Sequence, residues 1–147
     1  YSERGPDYIY NMERLLRKFR SAAELVPPPV LRKASRTTRF GAIFFGSTSA
    51  SMHEALDVLE AEGVFLDALR LRAFPFADAV REFIAAHEKV FIVEQNRDGQ
   101  MHTLLVNELD LDPARLVRVL HFDGTPITAR FITGAIRKNM VWKKEFA

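Results

Sequence analysis

Cysteine is absent from this sequence. That excludes disulfides, thiolate nucleophiles, iron–sulfur ligation and most structural zinc sites within the chain, and it fits a reducing cytoplasm. No apolar run approaches the ~20 residues that a membrane span needs, and no signal-peptide pattern opens the chain. The G-K-[ST] phosphate loop, the G-x-G-x-x-G fingerprint and the G-x-S-x-G nucleophile elbow are all missing. What is present is ordinary globular material, 48% hydrophobic and 27% charged over 147 residues, enough for one domain with a helical extension. A chain that begins with Tyr1 rather than methionine is expected to be an excised piece of something longer.

The net charge of +2 is unevenly spread. Residues 1–39 hold nine Lys/Arg against four Asp/Glu, and the remainder holds twelve against fifteen. A basic arm on an acidic body raises nucleic acid as a partner. No aromatic-interleaved basic surface supports that idea, so the arm reads as a separate helix with a solvated face. Neither nucleic acid nor membrane is expected as a partner.

Along the chain, residues 7–26 place Ile9, Met12, Leu16, Phe19 and Ala23 on one helical stripe, with Asp7 as N-cap and Pro27-Pro28-Pro29 as the stop. Residues 1–29 are therefore a helix and Pro-rich linker, and 30–147 the main domain. Val30 to Lys33 reads as a short edge strand. From there strands and helices alternate. Arg39–Gly46 is a near-continuous apolar strand of the kind buried on both faces. A helix through Met52, Leu56 and Leu59 follows and stops at Gly63, then a strand over Val64–Phe74 and a helix over 76–88. Lys89–Glu94, a helix over 100–109, Leu116–Phe122 and a closing helix over 127–140 complete the pattern. Such repetition predicts right-handed crossovers and a mainly parallel sheet with helices on both sides. Phe122, Ile127, Phe131, Ile132 and Ile136 are expected in the core. Trp142 and Phe146, in a lysine-bearing tail, either meet a partner or fold back on the domain.

If the second main strand lies on one side of the first and the third on the other, the order reverses between Arg39–Gly46 and Lys89–Glu94. Ligands and partners gather outside the carboxyl ends of the strands at such a point. Two polar segments meet there: Gly46-Ser47-Thr48-Ser49, and Glu94 followed by Gln95-Asn96-Arg97-Asp98-Gly99-Gln100. The first offers amides and hydroxyls to an anion such as a nucleotide or CoA phosphate, though a Ser or Thr after a strand is more often an N-cap. Ser47 with His53 or His102 makes no hydrolase by any recognised spacing. The histidines, His53, His87, His102 and His121, show no metal-ligand spacing. Glu94 is either a general base or a group whose bonds shape the loop, with Gly99 supplying a positive φ. A third reading fits the loop's composition best: charges and amides on a rigid strand end suit docking to another protein surface.

Residues GSTSASMHEALDVLEAEG, LRLRAFPF, VFIVEQNRDGQMHTLL and LHFDGTPITARFI strongly resemble the C-terminal domain of the α subunit of 2-oxoacid:ferredoxin oxidoreductases, the 2-oxoglutarate type most of all. The opening ERGPDYIYNMERLLRKF and the VPPPV linker extend the resemblance over essentially the whole chain. VEQNRDGQ is its most specific element. The arrangement is also distantly similar to the C-terminal domains of transketolase and of the pyruvate dehydrogenase E1 β chain. The resemblance implies a three-layer α/β/α sandwich, its mainly parallel sheet of about five strands carrying one antiparallel edge strand, which suits Val30 to Lys33. It implies a parent enzyme that decarboxylates a 2-oxoacid oxidatively to its acyl-CoA, with thiamine diphosphate, Mg2+, CoA and iron–sulfur clusters, and ferredoxin as electron acceptor. In that family the thiamine pyrimidine domain precedes this segment, and the diphosphate site lies on a partner β subunit. This chain lacks the G-D-G plus Asn pattern of that site. The resemblance thus makes it a catalytically inert assembly domain whose lip, Glu94 to Gln100, faces another domain or the β subunit. Glu94, Asn96 and Arg97 would support a neighbouring active site.

Overall fold

The computed structural model describes residues 3–141. In chain order the elements are α1 (Gly5–Leu25), β1 (Val30–Arg32), β2 (Phe40–Phe45), α2 (Ser49–Ala61), β3 (Asp67–Leu71), α3 (Asp78–Ala85), β4 (Lys89–Glu94), α4 (Gln100–Leu109), β5 (Leu116–Leu120) and α5 (Ala129–Val141). The sheet order is β1-β3-β2-β4-β5, with β1 antiparallel to β3 and every other pairing parallel. The chain is therefore an α/β sandwich with one antiparallel edge strand, and its order reverses between β2 and β4.

The strand period of two divides the core into two layers. Ala42, Phe44, Phe91 and Val93 pack on one face against Met52, Leu56 and Leu59 of α2 and Ile132 and Ile136 of α5. Ile43, Leu69, Val90 and Ile92 pack on the other against Val80 and Ile84 of α3 and Leu105 and Leu109 of α4. Because helices cover both faces, β2 and β4 have no solvent side, which explains their unbroken apolar runs.

Gly41 is required by the second layer. A Cβ built there would lie 2.9 and 3.0 Å from the Phe83 ring and 3.2 Å from His87 Cγ. Phe83 is buried in the core, and the His87 ring is hydrogen-bonded at both nitrogens. His87 is held through Nδ1 to the Phe83 carbonyl at 2.7 Å and through Nε2 to Asp67 Oδ2 at 3.2 Å. Gly41→Ala is expected to destabilise by about 1–3 kcal/mol, the usual effect of overpacking. Urea denaturation checks this, and a neutral or stabilising result would mean the rings move aside.

Four sequence expectations need correction. Asp7 is not the N-cap: α1 starts at Gly5, with Arg4 at the cap and a proline at the helix start, where its missing N–H is no loss. Asp7 instead sits in the first turn, near the positive end of the helix dipole. The strand expected over Val64–Phe74 narrows to Asp67–Leu71, since Val64 N–H is spent closing α2 against the Leu59 carbonyl. Phe122 is 62% exposed because β5 ends at Leu120 and leaves it in a loop, and Phe131 is 37% exposed, edge-on to His121, one position off the inward pair Ile132 and Ile136. Trp142 and Phe146 lie outside the described residues.

Candidate functional site

The strand order reverses between β2 and β4, and the residues that follow their carboxyl ends meet there. Glu94 is the last residue of β4 and is fully buried. Its Oε2 accepts from Asn96 Nδ2 at 2.6 Å and from the Met101 amide at 2.8 Å, while Oε1 accepts from the His102 amide at 3.1 Å. These amides belong to the first turn of α4, whose N–H groups have no partner inside the helix. Gly99, at the cap position with φ +66°, brings no side chain to meet them. A carboxyl group from the neighbouring strand replaces the missing cap.

Asn96 completes the turn by accepting the Gly99 amide at 2.8 Å and the Gln100 amide at 3.2 Å. Gln95 binds in the opposite direction. Its Nε2 donates to Ser47 Oγ at 3.0 Å and Thr48 Oγ1 at 3.3 Å, and its Oε1 accepts from the Ile127 amide at 3.1 Å. Ser51 Oγ donates to the Ile127 carbonyl at 2.7 Å. The loops after β2, β4 and β5 are thus tied into one surface. Gly46, with φ +59°, opens the turn, Thr48 is buried under it and Ser49 begins α2.

Three lip residues point outward. Arg97 Nε pairs with Asp98 Oδ1 at 2.7 Å, but the two side chains are 76% and 58% exposed, so the pair contributes little stability. Gln100 is also exposed.

The structure assigns Ser47 to Gln95 and buries His102 on α4, under the charge of Arg118. Burial, then the Arg118 guanidinium, hold the His102 imidazole below its ordinary 6.5, against the opposing pull of Glu94. Unfolded chain takes up this proton as pH falls past 6.5, and folded chain takes it up only lower. The stability this difference contributes is complete above 6.5 and is lost as pH falls through the folded value, at no more than about 1.4 kcal/mol per pH unit. Chemical denaturation between pH 7.5 and 5.5 is therefore expected to show a shallower pH slope for His102→Gln than for the parent chain. Equal slopes would refute this account.

Sequence reasoning did not find the roles of Gln95, Ser51 and Ile127, whose bonds join residues far apart in the chain. It also missed Asp123, which accepts from Thr125 N at 2.9 Å and Thr125 Oγ1 at 2.7 Å and lies 3.4 Å from His121 Nε2. The Thr125 bonds hold its carboxyl below the usual carboxylate range. Asp-x-Thr is a local turn signature that was legible.

Thiamine diphosphate with Mg2+, and an iron–sulfur cluster, do not fit the residues present. The chain has no cysteine, and among the described residues no group of three His, Asp or Glu stands close enough to hold a metal. Both Glu94 oxygens are already engaged. Among the described residues no helix is long and apolar enough to cross a membrane.

The fold is shared with known enzymes. It superposes on a 2-oxoglutarate:ferredoxin oxidoreductase from Magnetococcus marinus, solved with 2-oxoglutarate, coenzyme A and succinyl-CoA bound, with a TM-score of 0.82 over 95% of this chain and 24% of that one, at 20% identity. A split-gene transketolase, solved as an inactive beta4 tetramer, matches with a TM-score of 0.63 over 79% of this chain and 43% of that one, also at 20% identity. The class is therefore the transketolase-like α/β domain. Sequence carries the assignment further: the alpha subunit of 2-oxoacid:ferredoxin oxidoreductase 2 from Aeropyrum pernix is 32% identical over 127 residues, 83% of this chain. The chain is a homologue of part of a 2-oxoacid:ferredoxin oxidoreductase alpha subunit, and it spans 19% of that relative's length. No family model matches it.

Proposed function

We propose that the chain is the C-terminal assembly domain of the α subunit of a cytoplasmic, thiamine-diphosphate-dependent 2-oxoacid:ferredoxin oxidoreductase. The whole enzyme decarboxylates a 2-oxoacid of the 2-oxoglutarate kind oxidatively, passes the acyl group to CoA and delivers the electrons to ferredoxin. Thiamine diphosphate, Mg2+ and the iron–sulfur cluster are held by other parts of that enzyme. Residues 30–147 serve as scaffold, and 1–29 lead into it as helix and linker.

The observation that carries this reading is the closure of the Glu94–Asn96–Gln95 network. A strand-end carboxyl group offered to a substrate keeps an oxygen free, whereas both oxygens of Glu94 accept from the chain itself. The buried Glu94 carboxyl, with half-buried Asn96 and exposed Gln95, is spent on holding the lip's shape. That leaves Arg97, Asp98 and Gln100 as preset outward contacts for the β subunit or the preceding α-subunit domain. Fixing the loop beforehand spares ordering entropy when the surfaces meet.

In the intact enzyme, Arg97→Ala is expected to weaken subunit association roughly tenfold, the loss of one interfacial charge contact. Turnover per assembled complex should stay near normal. Sedimentation at graded concentrations reads the first quantity and ferredoxin reduction the second. Unchanged assembly with lost turnover would place Arg97 in the chemistry and overturn the proposal.

A further inference from the structure

Beyond the carboxyl end of β5 a groove of about 640 Å3 runs along α5, on a different side of the helix from Ile132 and Ile136. Arg130, Gly134 and Lys138 line it at positions i, i+4 and i+8, one row of the helix surface. The two cations therefore stand about 12 Å apart along the axis, with bare backbone between them. Neither side chain makes an ion pair or hydrogen bond among the described residues. Phe131 and Ala135 add an apolar wall, and Phe131 is 37% exposed. Glycine inside a helix weakens it relative to alanine, yet a Cβ at Gly134 would meet nothing within 4 Å. Packing within the chain does not require this glycine, whereas close approach from outside does use a bare backbone.

His121 lines the groove where α5 begins. It is only 6% exposed, but its ring makes no hydrogen bond among the described residues. Phe131 stands edge-on at 4.7 Å, and Asp123 Oδ1 lies 3.4 Å from Nε2 while already accepting from the Thr125 amide and hydroxyl. A buried polar ring is rarely left so in a folded chain. Thr128 Oγ1 accepts from the Phe131 amide at 3.2 Å, which leaves its hydroxyl hydrogen to donate outward. The first amides of α5 have no partner inside the helix and give that end a partial positive charge. Asp123 is the one carboxylate in the lining, against Arg130 and Lys138. We propose that this groove binds an organic phosphate ester, its phosphate at the start of α5 beside Arg130, Thr128 and His121 and its apolar body over Gly134 against Phe131. A compact dianion suits a guanidinium, a hydroxyl, an imidazole and a helix start gathered at one end. A flat apolar body suits the strip from Phe131 across Gly134 to Ala135. Nothing in this site depends on the lip or its partner.

The test uses para-azidophenyl phosphate as a photoaffinity probe on the intact polypeptide that carries this segment. Illumination should label residues between His121 and Lys138, located by peptide mass spectrometry. Phenyl phosphate should compete at concentrations roughly tenfold below those of inorganic phosphate, the gain from covering one aromatic ring. Arg130→Gln should reduce labelling there about tenfold, the loss of one charge contact. Gly134→Leu should remove it by filling the groove, while the melting temperature stays level or rises, because leucine is the better helix former. No label between His121 and Lys138, equal competition by the two phosphates, or undiminished labelling of the Arg130→Gln polypeptide would each overturn the inference. Undiminished labelling of a folded Gly134→Leu polypeptide would overturn it as well.

Discussion

Glu94→Ala should unfold the domain at a temperature lower by roughly 10 °C, reflecting a loss of about 3 kcal/mol or more. The substitution strips three donors of their acceptor: Asn96 Nδ2 and the Met101 and His102 amides. Each is left at a site where Glu94 itself is fully buried, and an orphaned buried donor loses the bond while still bearing its desolvation. Glu94→Gln separates shape from bonding. It keeps the volume but turns an amide group toward N–H donors, so much of the loss should persist. Calorimetric melting of both variants checks this. If Glu94→Gln melts like the parent and the intact enzyme carrying it loses turnover, Glu94 is a chemical group rather than a cap.

At the opposite ends of the strands, Asp67→Ala should cost about 2–4 kcal/mol, while Lys33→Ala costs under ~1. Asp67 is the buried centre of a clamp. Its Oδ2 accepts from Lys33 Nζ at 2.6 Å and faces His87 Nε2 at 3.2 Å, and its Oδ1 accepts from the Ala34 amide at 2.9 Å. The clamp joins the segment after β1 to the start of β3 and the end of α3. Lys33 is 65% exposed, so water screens its share. Burial pushes the Asp67 carboxyl up, but the bonds from Lys33, Ala34 and His87 outweigh it and hold it below its ordinary 3.8. The folded chain therefore keeps this group ionised to lower pH than the unfolded chain does. Its stabilisation is complete above 3.8 and disappears as pH falls through the folded value. Asp67→Ala should flatten the acid limb of the stability curve there. Equal losses for the two variants would mean the clamp is a surface ion pair and nothing more.

Legibility differed by kind of feature. The run at 40–45 announced a strand buried on both faces and the Val90–Val93 run a buried strand, because a sheet covered on two sides favours apolar residues at successive positions. Gly63 and Gly99 were readable as punctuation, and both adopt positive φ. The failures share a cause. Phe122 and Phe131 were placed inside because hydrophobicity was counted, yet β5 stops at Leu120 and α5 turns only Ile132 and Ile136 inward. The lip was legible as polar and as lying at a strand end, while its wiring was not. Gln95 reaches Ser47 and Ile127, 48 and 32 residues away, and no local pattern encodes such a bond.

Local chemistry, then, determined the alternation of strands and helices and the position of the polar segments, since each follows from spacing and turn residues within a short window. The antiparallel direction of the edge strand came instead from the family resemblance and is seen in the β1–β3 pairing. Which polar atoms face one another was decided only when the sheet brought three loops to one end. Hydrogen bonds depend on ångström-scale approach between groups distant along the chain, and one-dimensional order carries no record of that distance.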